Sequence, residues 1–196
     1  MPGRLTASTA RSSDCLRDHF LLAMPCLDEG IFAHSITYIC EHGESGAMGI
    51  VINQPLDLSV EEIFEHLQIE SDSDFSDIPV MAGGPVQIDH GFVLHRNCPR
   101  TWEASLKVTP EITLTTSRDI LRAIADGTGP EEHLIALGYA GWAAGQLEQE
   151  LADNSWLTLP ANSDIIFATP AAKRLGAAAA QLGIDMNLIS GTAGHA

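Results

Sequence analysis

Residues 34–55, HSITYICEHGESGAMGIVINQP, admit few folds. Residues 34–41 and 47–53 are rich in β-branched, aromatic and small apolar side chains, at lengths typical of strands. The intervening His42-Gly-Glu-Ser-Gly46 supplies turn residues. Pro55, which cannot donate to a strand ladder, ends the second run. The stretch therefore reads as a β-hairpin.

The flanking sequence reads as further short elements. Residues 1–17, rich in Ser, Thr, Ala and Arg without periodicity, are expected to form a disordered leader, with a single domain over 18–196. Residues 18–24 read as a strand. Ser59-Val-Glu-Glu62 is a capping box ahead of a short helix carrying Ile63, Phe64 and Leu67 on one face. Strands are expected at 79–82 and 91–95, with a strand–turn–strand over 106–114 broken at Pro110. A second capping pattern at residues 116–119 opens a helix that Gly127 closes. Residues 133–139, HLIALGY, are apolar on both faces and predict a buried central strand. Gly138 to Gly145 reads as a glycine-rich turn leading into a helix with Leu147 and Leu151 one turn apart. Residues 156–159 and 164–168 read as strands. Thr169-Pro170 starts a last helix, and 186–189 reads as an edge strand. The sum is one α+β domain, a mixed and largely antiparallel sheet with about four packed helices.

Composition narrows the partners. Acids outnumber bases 26 to 10, for a formal net charge of −16. Such a surface repels phosphate backbones and anionic headgroups, so no direct nucleic-acid or membrane binding is expected; a basic protein partner or a small ligand suits it better. No apolar run reaches the roughly 18–20 residues that span a bilayer, and no apolar segment follows the N-terminal arginines as in a secretory signal. Four cysteines in 196 residues do not make a disulfide framework, so reduced thiols and a cytoplasmic location are expected.

Several motifs in order resemble the AlgH/YqgE family of bacterial proteins. They are Met24-Pro25, the hairpin stretch, Gly83-Gly84-Pro85-Val86, residues 91–95, TTSRDIL (115–121), LGYAGWAAGQLEQEL (137–151), Trp156-Leu157 and the closing GTAGHA (191–196). The resemblance runs from about residue 18 to the C-terminus. Ala143-Ala144 stands where the family commonly has Gly-Pro. The resemblance implies a cytoplasmic α/β protein with a mixed sheet. The family is labelled a transcriptional regulator on genetic association, without an established molecular activity, so the resemblance supplies fold and compartment rather than mechanism.

Candidate chemistry centres on Cys40. Alternation along a strand puts Tyr38, Cys40 and His42 on one face, where an imidazole could activate the thiol as nucleophile or redox sensor. Residues two apart on a strand are separated by roughly 6.5–7 Å, long for a direct hydrogen bond. A small buried hydrophobe at Cys40 and a turn histidine at His42 explain the same residues. Catalytic candidates are thus Cys40 and His42. Ligand-binding candidates are His34, Tyr38, Gly141 and Trp142, and a further reading places a ligand pocket between the hairpin and the glycine-rich turn. That turn is neither G-x-G-x-x-G nor a P-loop, and no lysine follows it. No H-E-x-x-H, paired His/Cys spacing or G-x-S-x-G elbow occurs, and residues 71–77 lack the glycine and closing glutamate of a calcium loop. No metal and no cofactor are expected. Two readings follow: a binding or regulatory protein without catalysis, or a thiol-dependent enzyme or redox sensor built on Cys40.

Overall fold

The computed structural model describes residues 15–185. In chain order these form β1 (His19–Ala23), a single 3-10 turn (Gly30–Phe32), β2 (Ile36–Gly43), β3 (Gly46–Val51), β4 (Pro55–Ser59), α1 (Val60–His66), β5 (Pro79–Ala82) and β6 (Val86–Arg96). There follow β7 (Ser105–Lys107), β8 (Ile112–Thr115), α2 (Arg118–Ala125), β9 (His133–Ala143), α3 (Gln146–Ala152), β10 (Trp156–Pro160), α4 (Ser163–Phe167) and α5 (Ala171–Gln181). The result is a single α+β domain on a mixed sheet. Its main path runs β10-β1-β2-β3-β9-β6-β8-β7, all neighbours antiparallel, while β5 joins β9 in parallel and β4 pairs with β5.

β9 is the hub. One of its edges carries β3 along 140–143 and β5 along Ala136 and Leu137; the other carries β6. A strand flanked on both edges and covered on both faces must be apolar throughout, which is why residues 133–139 read as one continuous hydrophobic run. The first sheet face, with Phe20, Leu22, Tyr38, Leu94 and Ala136, packs against Ile165, Ile166, Ala178 and Ala179 of α4 and α5. The opposite face meets α1 and α2 through Val80, Val93 and Ile135, and α3 through Leu21, Ile39 and Trp142.

The capping box forms as expected. The Ser59 hydroxyl accepts from the Glu62 N–H at 3.3 Å, and the Glu62 carboxylate accepts from the Ser59 N–H at 2.8 Å. Three expectations are corrected. The glycine-rich turn is strand: β9 continues to Ala143, because β3 pairs with it there and holds it extended. Only at Gly145, in the left-handed region at φ 76°, does the chain turn into α3. Residues 164–168 are not a strand. Asn162 accepts from the Asp164 N–H at 2.9 Å, and the Asp164 carbonyl accepts from Ala168 and Thr169, closing the short helix α4. The second capping pattern is used differently as well. The Ser117 hydroxyl accepts from the Ala104 N–H at 3.0 Å and Asp119 from the Glu103 N–H at 3.0 Å, so both side chains tether a loop; Ser117 makes no cap bond, while Asp119 Oδ1 also accepts from the first-turn Ile120 N–H at 3.0 Å. The expected edge strand at 186–189 lies outside the described residues.

Two glycine motifs distant in sequence lock together behind the hub strand. A methyl group on Gly83 would come within 2.3 Å of the Gly138 carbonyl oxygen, and one on Gly138 within 2.4 Å of the Gly84 carbonyl oxygen. Backbone here lies on backbone without room for a Cβ. Beside this contact the β6–β9 ladder breaks: Val86 pairs with Tyr139 and the next partners are Gly91 and Leu137. Residues 87–90 therefore bulge out of the sheet, and Ile88 at its crest is 67% exposed.

Candidate functional site

The hairpin tip, the C-terminal half of β9 and the start of β6 enclose an open cleft of about 660 Å³. Glu41, His42 and Met48 form the hairpin wall, Tyr139 and Gly141 the β9 wall, and Gln87 the bulge wall; Arg17 also lines it. The register explains the convergence. Met48 lies opposite both Glu41 on β2 and Gly141 on β9, so the two stretches that stand out in the sequence are adjacent strands of one surface. Phe92 backs the floor, edge-on to Tyr139 with ring centroids 5.5 Å apart.

Cys40 is not part of this surface. It is fully buried, with its Sγ 3.8 Å from the Tyr38 carbonyl oxygen. Burial, followed by the neighbouring Glu41 carboxylate, pushes its thiol well above the ordinary range, the opposite of what a nucleophile needs. Nor does His42 face it. The β2–β3 register skips from Ile39↔Gly49 to Glu41↔Met48, so Cys40 is the extra residue of a bulge and the alternation of faces shifts by one beyond it. Cys40 packs with the first core face, whereas His42 meets α3 on the other. Both ring nitrogens of His42 are engaged: Nδ1 accepts from the Leu16 N–H at 3.0 Å and Nε2 donates to Glu148 Oε1 at 2.8 Å. The backbone N–H of Glu148 itself, and then the His42 ring, hold the Glu148 carboxyl below its usual range. The expected thiol–imidazole pair is thus taken apart by one extra residue in a strand.

The other candidates separate into core and surface. Tyr38 is fully buried, edge-on to Phe20 at 6.1 Å, and its hydroxyl donates to Asp18 Oδ1 at 2.9 Å. Burial first, and then the Asp18 charge, push its phenol pKa upward. Trp142 is an anchor. Its Nε1 and that of Trp156 both donate to Glu150 Oε2 at 2.8 Å, and the two indoles stack edge-on at 6.1 Å. Although buried, it also lines the cleft. His34 is exposed and away from the cleft, in the left-handed region at φ 55°, with its carbonyl accepting from Asn53 Nδ2 at 2.9 Å. Gly141 lies in the cleft wall. No local pattern in the sequence marks Arg17, Gln87 or Tyr139 as cleft residues. The first falls within the expected leader, and the second stands in a bulge that no local pattern announces. Among the described residues, no group of three His, Cys, Asp or Glu side chains is placed to hold a metal ion, and no helix is long and apolar enough to cross a membrane.

A helix-covered mixed sheet with an open cleft beside its hub strand defines the class: an α+β domain whose fold alone does not dictate an activity. The AlgH-like family model matches residues 20–187. A UPF0301 protein of Thioalkalivibrio sulfidiphilus is 57% identical over 185 residues, covering 94% of this chain and 99% of its own. One from Saccharophagus degradans is 56% identical over 181 residues, covering 92% and 89%. The solution structure of the AlgH protein from Pseudomonas aeruginosa superposes with a TM-score of 0.77 at 46% identity over the full length of both chains. A crystal structure from Corynebacterium diphtheriae, 18% identical, shares the fold with a TM-score of 0.71 over 89% of this chain and 91% of its own. The chain belongs to the AlgH-like family, for which no specific activity is established.

Proposed function

We propose that this protein is a non-catalytic binding protein of the regulatory kind, and that it recognises a small ligand in the cleft between the hairpin and β9. The observation that carries this reading is the convergence of Glu41, His42, Met48, Gln87, Tyr139 and Gly141 on one cleft of about 660 Å³, a size that suits a small molecule. The lining combines the opposite charges of Arg17 and Glu41 with the ring of Tyr139. This favours a ligand with both hydrogen-bonding groups and a flat apolar face. Sealing of the Cys40 thiol and engagement of both His42 nitrogens leave those two groups unfit for nucleophilic or acid–base work.

Any effect on transcription would then pass through a ligand or a basic protein partner, because a net charge of −16 opposes DNA. The free thiols of Cys15 and Cys26, both exposed, support a reducing compartment, the cytoplasm. The test is a small-molecule screen read by ¹⁵N–¹H correlation spectra of the full chain. Binding should move the amides of residues 41–48 and 139–142, and Arg17→Ala with Gln87→Ala should weaken it. Tight, sequence-specific retention of DNA at physiological salt, or hits that never touch those amides, would overturn the reading.

A further inference from the structure

A second site lies at the opposite end of β9, at the start of α5. Long side chains in the first turn of a helix lean back over its N-terminus. Arg174 does so: its Nε donates to the Thr169 carbonyl at 2.9 Å and its Nη1 to the Ile52 carbonyl. The residue is 8% exposed, and none of the ion pairs among the described residues involves it. A buried charge without a counter-ion is unfavourable by several kcal/mol in order of magnitude, and proteins seldom keep one without a use for it. Burial alone pulls this guanidinium down to about 10, so it remains a cation at neutral pH.

The bonds to Thr169 and Ile52 fasten α5 to the end of β3, and a merely structural arginine would need no more. A guanidinium, however, has five N–H groups. The two carbonyls take one each from Nε and Nη1, and neither accepts from Nη2. Arg174 lines a cavity of about 420 Å³. The remaining walls are mainly apolar, Met81, Leu134, Ile135 and Phe167, with the half-exposed Ile78 at the rim. Ala171, whose N–H belongs to the first turn of α5 and so lacks an intrahelical acceptor, faces the same space. His133 is the other basic side chain among the lining residues. Its Nδ1 donates to the Pro130 carbonyl at 3.0 Å, and burial lowers its pKa, so it is neutral at pH 7 and Arg174 is the permanent cation of the wall.

We infer that this cavity binds a small organic carboxylate with an apolar body, its carboxylate held by the Nη1–Nη2 edge of Arg174 and the first-turn N–H of α5. The apolar walls are what separate such an acid from bare phosphate.

The test uses the full ¹⁵N-labelled chain titrated with hexanoate and phenylacetate, and in parallel with hexanol and inorganic phosphate. The readouts are the Arg174 Nε–Hε resonance and the amides of Ala171 and Met81. Both carboxylates should give saturable shifts there, with hexanol and phosphate at least about tenfold weaker, since each lacks either the charge or the apolar body. Arg174→Lys keeps the charge without the fork and should weaken hexanoate by about tenfold or more. Arg174→Met should abolish binding. If that variant does not fold, the lysine variant and the hexanol comparison decide alone. The inference is overturned by the absence of saturable shifts at these residues, by hexanol or phosphate binding as tightly as hexanoate, or by an unchanged affinity in Arg174→Lys. The site shares no residue with the cleft near the hairpin, so each can fail without the other.

Discussion

Replacing Gly138 by alanine tests the contact that holds β9 against the Gly83-Gly84 segment. The residue sits at φ 73°, and a Cβ there would stand 2.4 Å from the Gly84 oxygen and 3.0 Å from the Val86 oxygen. Both are backbone atoms, so no side chain can swing away and the strands themselves must part. The left-handed conformation alone costs an L-residue about 1–2 kcal/mol. Forcing a methyl group into packed backbone adds about 1–3 kcal/mol. A central value of about 3 kcal/mol corresponds, for a domain of this size, to a melting temperature lowered by about 6–12 °C. Two other glycines isolate the terms. Gly145 has nearly the same dihedral, φ 76°, but a methyl group added there would meet nothing within 4 Å. Gly145→Ala should therefore show the dihedral cost alone, about 1 kcal/mol. Gly176 lies within α5 with open space around it, so Gly176→Ala should stabilise by about 0.5–1 kcal/mol. Urea denaturation followed by far-ultraviolet circular dichroism, with matched slopes, measures all three. If Gly138→Ala is no less stable than Gly145→Ala, the backbone contact is not what that glycine is for.

Three further outcomes follow from the same geometry. In the native protein Cys15 and Cys26, both exposed, should react with a colourless disulfide reagent within the mixing phase, while Cys40 should react only at the rate of unfolding; prompt modification of Cys40, located by mass spectrometry, would contradict its burial. Glu150→Ala removes the carboxylate shared by the Trp142 and Trp156 indoles and should cost about 2–3 kcal/mol with a red shift of tryptophan emission, whereas Glu150→Gln should retain about half of that stability. Burial lowers the pKa values of His95 and His133, so the unfolded chain binds more protons than the native one as the pH falls below the unfolded imidazole value of about 6.5. Their contribution is complete above that pH and is lost on acidification toward the depressed native values. Denaturation midpoints at pH 7.5 and 5.5 should differ accordingly, and His95→Gln should shrink the difference.

Local chemistry in the sequence determined much of the scaffold. The hairpin follows from the residues of 34–55, α1 from the reciprocal bonds of Ser59 and Glu62, and the end of α2 from Gly127 at φ 70°. Each depends on neighbours a few residues away, and each is legible for that reason. The apolar run of 133–139 likewise announces a strand with no free face. What lies beyond reach depends on partners far along the chain. β9 extends past Gly141 because β3 pairs with it, and Ile165 and Ile166 enter a helix because Asn162 and Asp164 close it, although β-branched pairs favour strands. The extra residue at Cys40 is set by pairing across the hairpin. It turns His42 toward Glu148, so the chemistry that two-residue spacing suggests is absent from the folded protein. Both proposed sites are of the same kind. Arg17, Gln87 and Tyr139 meet in one cleft, and Arg174 is buried against Ile52 at a sequence separation of 122, through tertiary packing alone. Alternation and capping are written in neighbouring residues, whereas burial, register and the company a charge keeps are decided only when distant segments close on one another.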